Sequence, residues 1–333
     1  MTAALKRAAA WGLWRAGLLG LHANRFERRT AALLVYHRVN DDADPFFPAL
    51  PRGTFAAQLD FLAAHYRVEP LEEVVRWLAA GAPGRARAAI TFDDGHPDTA
   101  EVAFPELERR GLPATLFLST APPETGEPLW TDRVRWVVRN ATVRAPQEPA
   151  LGLRDASLDG ETSRLALLDR LLRELKAMPP PEVDRGVHAL EAALRPEGPP
   201  LRVLGWDAVR RMTSRGLHLG GHTHRHYMVS RLDERTLEDE VVTSHRLIEE
   251  RTGRRVLAFA YPNGQAGDYD GRAVALLERL GLLCAVTCRH ALARPDHDTF
   301  RLPRLYTSGP SLALFAARLA GLGREDVAAP EVS

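Results

Sequence analysis

Cysteine is scarce: Cys284 and Cys288 are the only two in 333 residues. They stand four apart, without metal-type pairing, so the plain expectation is two buried thiols and no disulfide, in a reducing compartment. Net charge is just as slight, with 44 basic residues against 43 acidic ones. No field of one sign is available to hold nucleic acid or an anionic membrane. The apolar run near the N-terminus, RAAAWGLWRAGLLGL at 7–21, is broken by Arg15 and too short to span a bilayer. No small-residue cleavage site follows it; Arg25, Arg28 and Arg29 come next. Its tryptophans and arginines fit an amphipathic helix within residues 1–30. Such a helix docks on the body of the protein or rests on a membrane surface. The expected location is cytoplasmic, with peripheral membrane contact through 7–21 as the alternative.

What is present is a recurring alternation. Short apolar, β-branched runs occur at 32–36, 88–92, 114–118, 217–220, 256–261, 283–287 and 300–305. Helical patterns lie between them, such as FAAQLDFLAAHY from Phe55 and RAVALLERLG from Arg272. In LEDEVVTSHRLIEERTG, Val241, Leu247 and Ile248 form a helical stripe and Gly253 stands where a C-cap belongs. Strand–helix alternation predicts an α/β fold of parallel strands covered by helices. About seven such units predict a sheet closed into a barrel, an open sheet being the alternative. Residues 122–200 break the rhythm. They are rich in Pro, Gly and Arg and hold a helical stretch from Ser163, which predicts a helical insertion jointed at PPP 179–181 and PEGPP 196–200. The main domain then covers 31–310, and 311–333 form a C-terminal helix and tail.

Two segments carry chemistry. AAITFDDGHPDTA, residues 88–100, ends an apolar strand on adjacent carboxylates, Asp93 and Asp94, followed by Gly95. Like charges so close raise one another's pKa unless a cation neutralises them. A metal ion does so, with one carboxylate as ligand and the other free as a base; an exposed Asp-Asp-Gly turn is the alternative. GLHLGGHTHRHYMVS, residues 216–230, again follows a strand and holds His222, His224 and His226. His222 and His226 share a face in a helical turn, whereas alternate histidines share a side in an extended one. Imidazoles suit zinc and related metals. Two imidazoles and one carboxylate leave coordination positions open, as in catalytic sites.

TFDDG followed by HTxxH resembles the NodB-homology polysaccharide deacetylases, carbohydrate esterase family four. The resemblance implies a distorted (β/α)7-type barrel and a metal-dependent hydrolase that removes N-acetyl groups from a sugar or polysaccharide. It implies Asp93 as general base and Asp94, His222 and His226 as ligands of a divalent metal, usually Zn2+. Thr223 takes the hydroxyl position of the HTxxH motif and supports the loop. FAYPNG, residues 259–264, looks like the family's third motif, which makes Tyr261, Pro262 and Asn263 candidates for the substrate groove. That motif's usual Arg is missing here, since Ala260 and Tyr261 occupy the stretch, and the usual late histidine motif is not evident. His290 and His297 fall in a polar run.

The deacetylases of bacterial exopolysaccharide synthesis, a permuted branch, carry Tyr-His at the end of the first strand. LLVYHRVN at 33–40 is similar, which implies His37 as general acid. His37 also ends an apolar strand, where barrel enzymes place catalytic groups. Arg304, in FRLPRL, is the candidate replacement for the missing Arg. PLWTDR at 128–133 is also similar to this branch and makes Trp130 and Asp132 candidates for sugar contact, with core packing the alternative for Trp130. A backbone amide near Tyr261 is the candidate oxyanion donor. The implied role is a step in cell-surface polysaccharide synthesis. Competing expectations are a carbohydrate O-acetyl esterase, an inactive carbohydrate-binding protein on the same fold, and a structural zinc site.

Overall fold

The computed structural model describes residues 29–321 except 145, 147–149, 308 and 310. The expected amphipathic helix at 7–21 and the tail beyond 321 lie outside the described residues. Strand β1 (Ala31–Tyr36) is followed by α1 (Arg52–His65), a two-residue β2 (Arg67–Val68), α2 (Leu71–Ala79) and β3 (Arg87–Phe92). A π-helical turn, Thr99–Ala103, runs into α3 (Phe104–Arg110), and β4 (Thr115–Leu118) follows. The insertion holds α4 (Ala121–Thr125), α5 (Trp130–Arg139), α6 (Gly160–Lys176) and α7 (Pro180–Leu194). The chain returns through α8 (Trp206–Ser214) to β5 (His218–Gly221), α9 (Glu234–Thr252), β6 (Ala258–Ala260), α10 (Gly271–Arg279) and β7 (Cys284–Val286). It ends, among the described residues, with β8 (Leu305–Tyr306) and α11 (Leu312–Leu319).

All ladder pairs are parallel, in the order β7-β6-β5-β4-β3-β1-β8, with β2 also on β3. β1 is buried at every position, as expected of a strand covered on both faces. The ends of this curled sheet are joined by one bent segment. Leu302 N–H donates to Ala285 O on β7 at 3.0 Å and Leu302 O accepts from Thr287 N–H at 2.8 Å. Three residues later Leu305 and Tyr306 pair with β1. The expected strand 300–305 is therefore corrected. Its middle makes only a bridge to β7, and Pro303, which has no N–H to donate, falls where the chain changes partner. The result is a distorted (β/α)7-type barrel closed through a hinge in its last segment.

Local chemistry explains the elements. Asp233 caps α9 by accepting from Thr236 N–H at 2.7 Å, and Gly253 ends it in the left-handed region at φ 65°. PPP at 179–181 marks the start of α7, where a missing N–H costs nothing. Leucines of α6 and α7, including Leu168, Leu171, Leu175 and Leu190, share one apolar cluster with Tyr227, Val241, Phe259 and Leu277 of the barrel. The insertion is thus packed onto the barrel wall. Among the described residues no helix is long and apolar enough to cross a membrane.

Candidate active site

Strand register assembles the site at the C-terminal ends of the strands. Tyr36 pairs with Phe92, so His37 and Asp93 are next-door residues just beyond β1 and β3. Leu118 pairs with Gly221 and Gly221 with Phe259, which brings Ser119, His222 and Ala260 together. Asp93 N–H still donates to Tyr36 O at 3.0 Å. Asp94 then enters the left-handed region at φ 74° and Gly95 follows at φ 92°. A non-glycine residue held there is strained, and such strain concentrates at functional sites. Gly95 is required twice over, because a Cβ there would lie 2.4 Å from Leu118 Cδ1. The turn sends the two carboxylates to different partners.

Asp93 faces Arg304. The guanidinium donates through Nη1 to Oδ1 at 2.7 Å and through Nη2 to Oδ2 at 2.6 Å. Both side chains are buried, Arg304 completely. Arg304 also donates to Thr287 O at 3.0 Å and Thr91 Oγ1 at 3.1 Å, and it lies over the Phe117 ring. Its place in the bend between β7 and β1 lets it reach into the barrel. Burial alone would raise the Asp93 carboxyl; the Arg304 charge outweighs that and holds it below the ordinary carboxylate value. A buried acid is thereby kept ionised.

Asp94 faces His222 and His226. Its Oδ1 is 3.3 Å from His222 Nε2 and 3.2 Å from His226 Nε2. One ligand atom from each of the three lies within 4.8 Å of the others, and all three residues are buried. His222 Nδ1–H donates to Ala260 O at 2.7 Å, which fixes the tautomer and turns Nε2 inward. Burial lowers the His226 pKa, whereas at His222 the Asp94 and Asp93 carboxylates overcome burial and raise it. The loop is wound tightly, with Thr223 at φ 61° and His226 at φ 63°. Thr223 Oγ1 accepts from His226 N–H at 2.9 Å, and Ser119 Oγ donates to His222 O at 2.8 Å. The buried Asp94 Oδ1 has no hydrogen-bond partner. An orphaned carboxylate oxygen beside two inward imidazole nitrogens is a donor set that fits a divalent metal. His224 takes no part; its Nδ1 pairs with Thr120 Oγ1 at 2.9 Å.

His37 is half-buried and lines two cavities. One, about 20 Å³, is bounded by Asp94, His96, Asp132, Arg38 and Arg135. The other, about 350 Å³, runs along Pro48, Leu50, Tyr306 and Thr307. Burial lowers the His37 pKa and the Asp94 and Asp93 charges oppose the shift.

Several candidates are corrected. Tyr261 is fully buried, donates its hydroxyl to Phe300 O at 3.0 Å and stacks on Tyr269 at 4.4 Å, so its side chain is core rather than groove. Its N–H is bonded to Val286 O at 3.2 Å and is not a free oxyanion donor. Pro262 is buried. Asn263 is held by Lys176 of α6 at 2.9 Å and by Asp268 at 2.5 Å. Trp130 is buried and donates Nε1–H to His226 O at 3.0 Å, which makes it a prop under the loop that carries His226. His290 stacks on Tyr306 and accepts from its N–H at 3.2 Å. His297 contacts Arg289 and Arg294. The sequence reading missed His96. It is buried between Asp94 and Asp132, and its one signal was its place two residues after Asp94. Burial would lower the His96 pKa, but the Asp132 and Asp94 carboxylates raise it.

Residues 80–285 match the profile of a family described as polysaccharide deacetylase. No curated protein matches the chain. The Streptococcus pyogenes deacetylase PplD, solved in complex with acetate, is 17% identical at a TM-score of 0.58, covering 86% of this chain and 97% of its own. IcaB from Ammonifex degensii is 19% identical at 0.54, covering 87% and 97%. The BpsB deacetylase domain from Bordetella bronchiseptica is 17% identical at 0.51, covering 83% and 95%. At these identities the structures are similar in fold.

Proposed function

The chain belongs to the polysaccharide deacetylase family, and from that premise we propose that it is a metal-dependent enzyme removing N-acetyl groups from a sugar or polysaccharide. The observation that carries this reading is the divided carboxylate pair. Asp94 Oδ1 faces two imidazoles without a hydrogen bond, while Asp93 is clamped by Arg304. Asp94, His222 and His226 would hold the metal, for which Zn2+ is the best match to two imidazoles and a carboxylate with open positions. A metal bound there would acidify water and polarise the acetyl carbonyl.

The chain's own residues do the proton work. Asp93, ionised and held in one orientation by Arg304, takes the proton of the water that adds to the acetyl carbon. His37, on the cavity side of the next strand, gives a proton to the sugar nitrogen as the C–N bond breaks. Acetate and a free amino sugar leave. Thr223 and Trp130 keep the His222–His226 loop wound. We place the reaction in cell-surface polysaccharide synthesis. The strand-end Tyr36-His37 pair and the helical insertion support that finer reading.

Acetate release from N-acetylglucosamine oligomers and from a lipid-linked N-acetyl sugar tests the proposal. Release by metal-loaded wild type but not by His222→Ala supports it and names the substrate class. Metal binding without acetate release from either substrate would overturn the N-deacetylase reading.

A further inference from the structure

Helix α5 belongs to the insertion, yet its first turn reaches both ligand-bearing loops. Trp130 Nε1–H bonds to the carbonyl of His226. Two residues on, Asp132 Oδ2 stands 3.4 Å from His96 Nδ1, and His96 Nε2 stands 3.2 Å from Asp94 Oδ2. His96 and Asp94 are buried, and Asp132 is largely so. The two oxygens of Asp94 therefore have different surroundings. Oδ1 looks at His222 and His226, and Oδ2 is engaged by His96. A carboxylate gripped through one oxygen is fixed in rotation, which aims the other. Asp94 has a particular need of such support, because its backbone sits at φ 74°.

We propose that His96 and Asp132 are positioning residues, forming a chain from helix α5 through the imidazole of His96 to Asp94 Oδ2 that aims Asp94 Oδ1 at the metal. The proposal rests on the reading of Asp94, His222 and His226 as ligands. It gives Asp132 a task other than sugar contact. It also makes the insertion part of the metal centre, since α5 holds one ligand through Asp132 and His96 and another through Trp130.

The test uses the full chain and Zn2+ affinity measured by chelator competition, with the visible spectrum of the Co2+-loaded protein as a second readout. His96→Gln and Asp132→Ala are expected to weaken Zn2+ binding about 10- to 100-fold, the usual cost of losing a partner behind a ligand, and to alter the Co2+ bands. Asp132→Asn keeps an oxygen acceptor for His96 and should retain more affinity than Asp132→Ala. The double variant His96→Gln/Asp132→Ala should lose no more than the worse single one, because both act through one chain. Affinity within twofold of wild type and an unchanged Co2+ spectrum in both single variants would overturn the proposal. Additive losses in the double variant, with a lowered melting temperature of the metal-free protein, would also overturn it by showing general destabilisation. Wild type that binds no Zn2+ would instead overturn the ligand assignment itself.

Discussion

Asp93 and Asp94 are adjacent and chemically identical, and their surroundings alone separate them. Asp93 has a bidentate guanidinium and Asp94 has two imidazoles. Asp93→Asn is predicted to cut turnover by about 10² to 10⁴, the usual worth of a general base, while Zn2+ binding persists. Near-normal rates would exclude Asp93 as the base. Arg304 carries a second prediction at this scale. Removing one partner of a buried ion pair strands the other, at about 3–5 kcal/mol. Arg304→Gln should therefore lower the unfolding free energy read from urea titration by about that much, and Arg304→Gln/Asp93→Asn should recover part of the loss. Equal stability of wild type and Arg304→Gln would mean the pair contributes nothing. The acid pair and the histidine cluster are legible in the sequence because each is local. The Arg304 contact spans 211 positions, so Arg304 is reached only through the resemblance, as the replacement for a missing Arg, and nothing in FRLPRL itself marks its target. His96 was hidden for the opposite reason, since it sits inside a strong motif at a place that reads as ordinary turn.

The strands are legible at the scale of elements wherever burial on both faces gives a continuous apolar run, as in β1 and β3. β2 is two residues long and has no such pattern. The last strand misleads because Phe300–Leu305 is apolar enough to be one strand, whereas Pro303 divides it between two partners. Tyr261 follows the same logic. It sits in a motif suggestive of a groove, but its ring is needed to fill the wall against Tyr269 and Phe259. The insertion gives the prediction proper to this scale. Leu171 is fully buried in the cluster that α6 and α7 share with the barrel. Leu171→Ala should cost about 2–5 kcal/mol and move a single cooperative transition in urea. Two separate transitions would show that the insertion folds alone.

For the whole molecule, barrel closure and the candidate metal site are one construction. The hinge that joins β7 to β1 delivers Arg304 to Asp93, and the insertion braces the loops that carry His226 and Asp94. Strand–helix alternation makes the barrel class legible. The bracing is not, because it depends on how α5 meets loops some 40 to 100 positions away.

Acetate release from an N-acetylglucosamine oligomer by the stripped protein, before and after Zn2+ is restored, tests metal-dependent deacetylation most directly. Loss on chelation, recovery on adding Zn2+ and no recovery in His222→Ala or His226→Ala is the predicted result. Full activity in the stripped protein would contradict it.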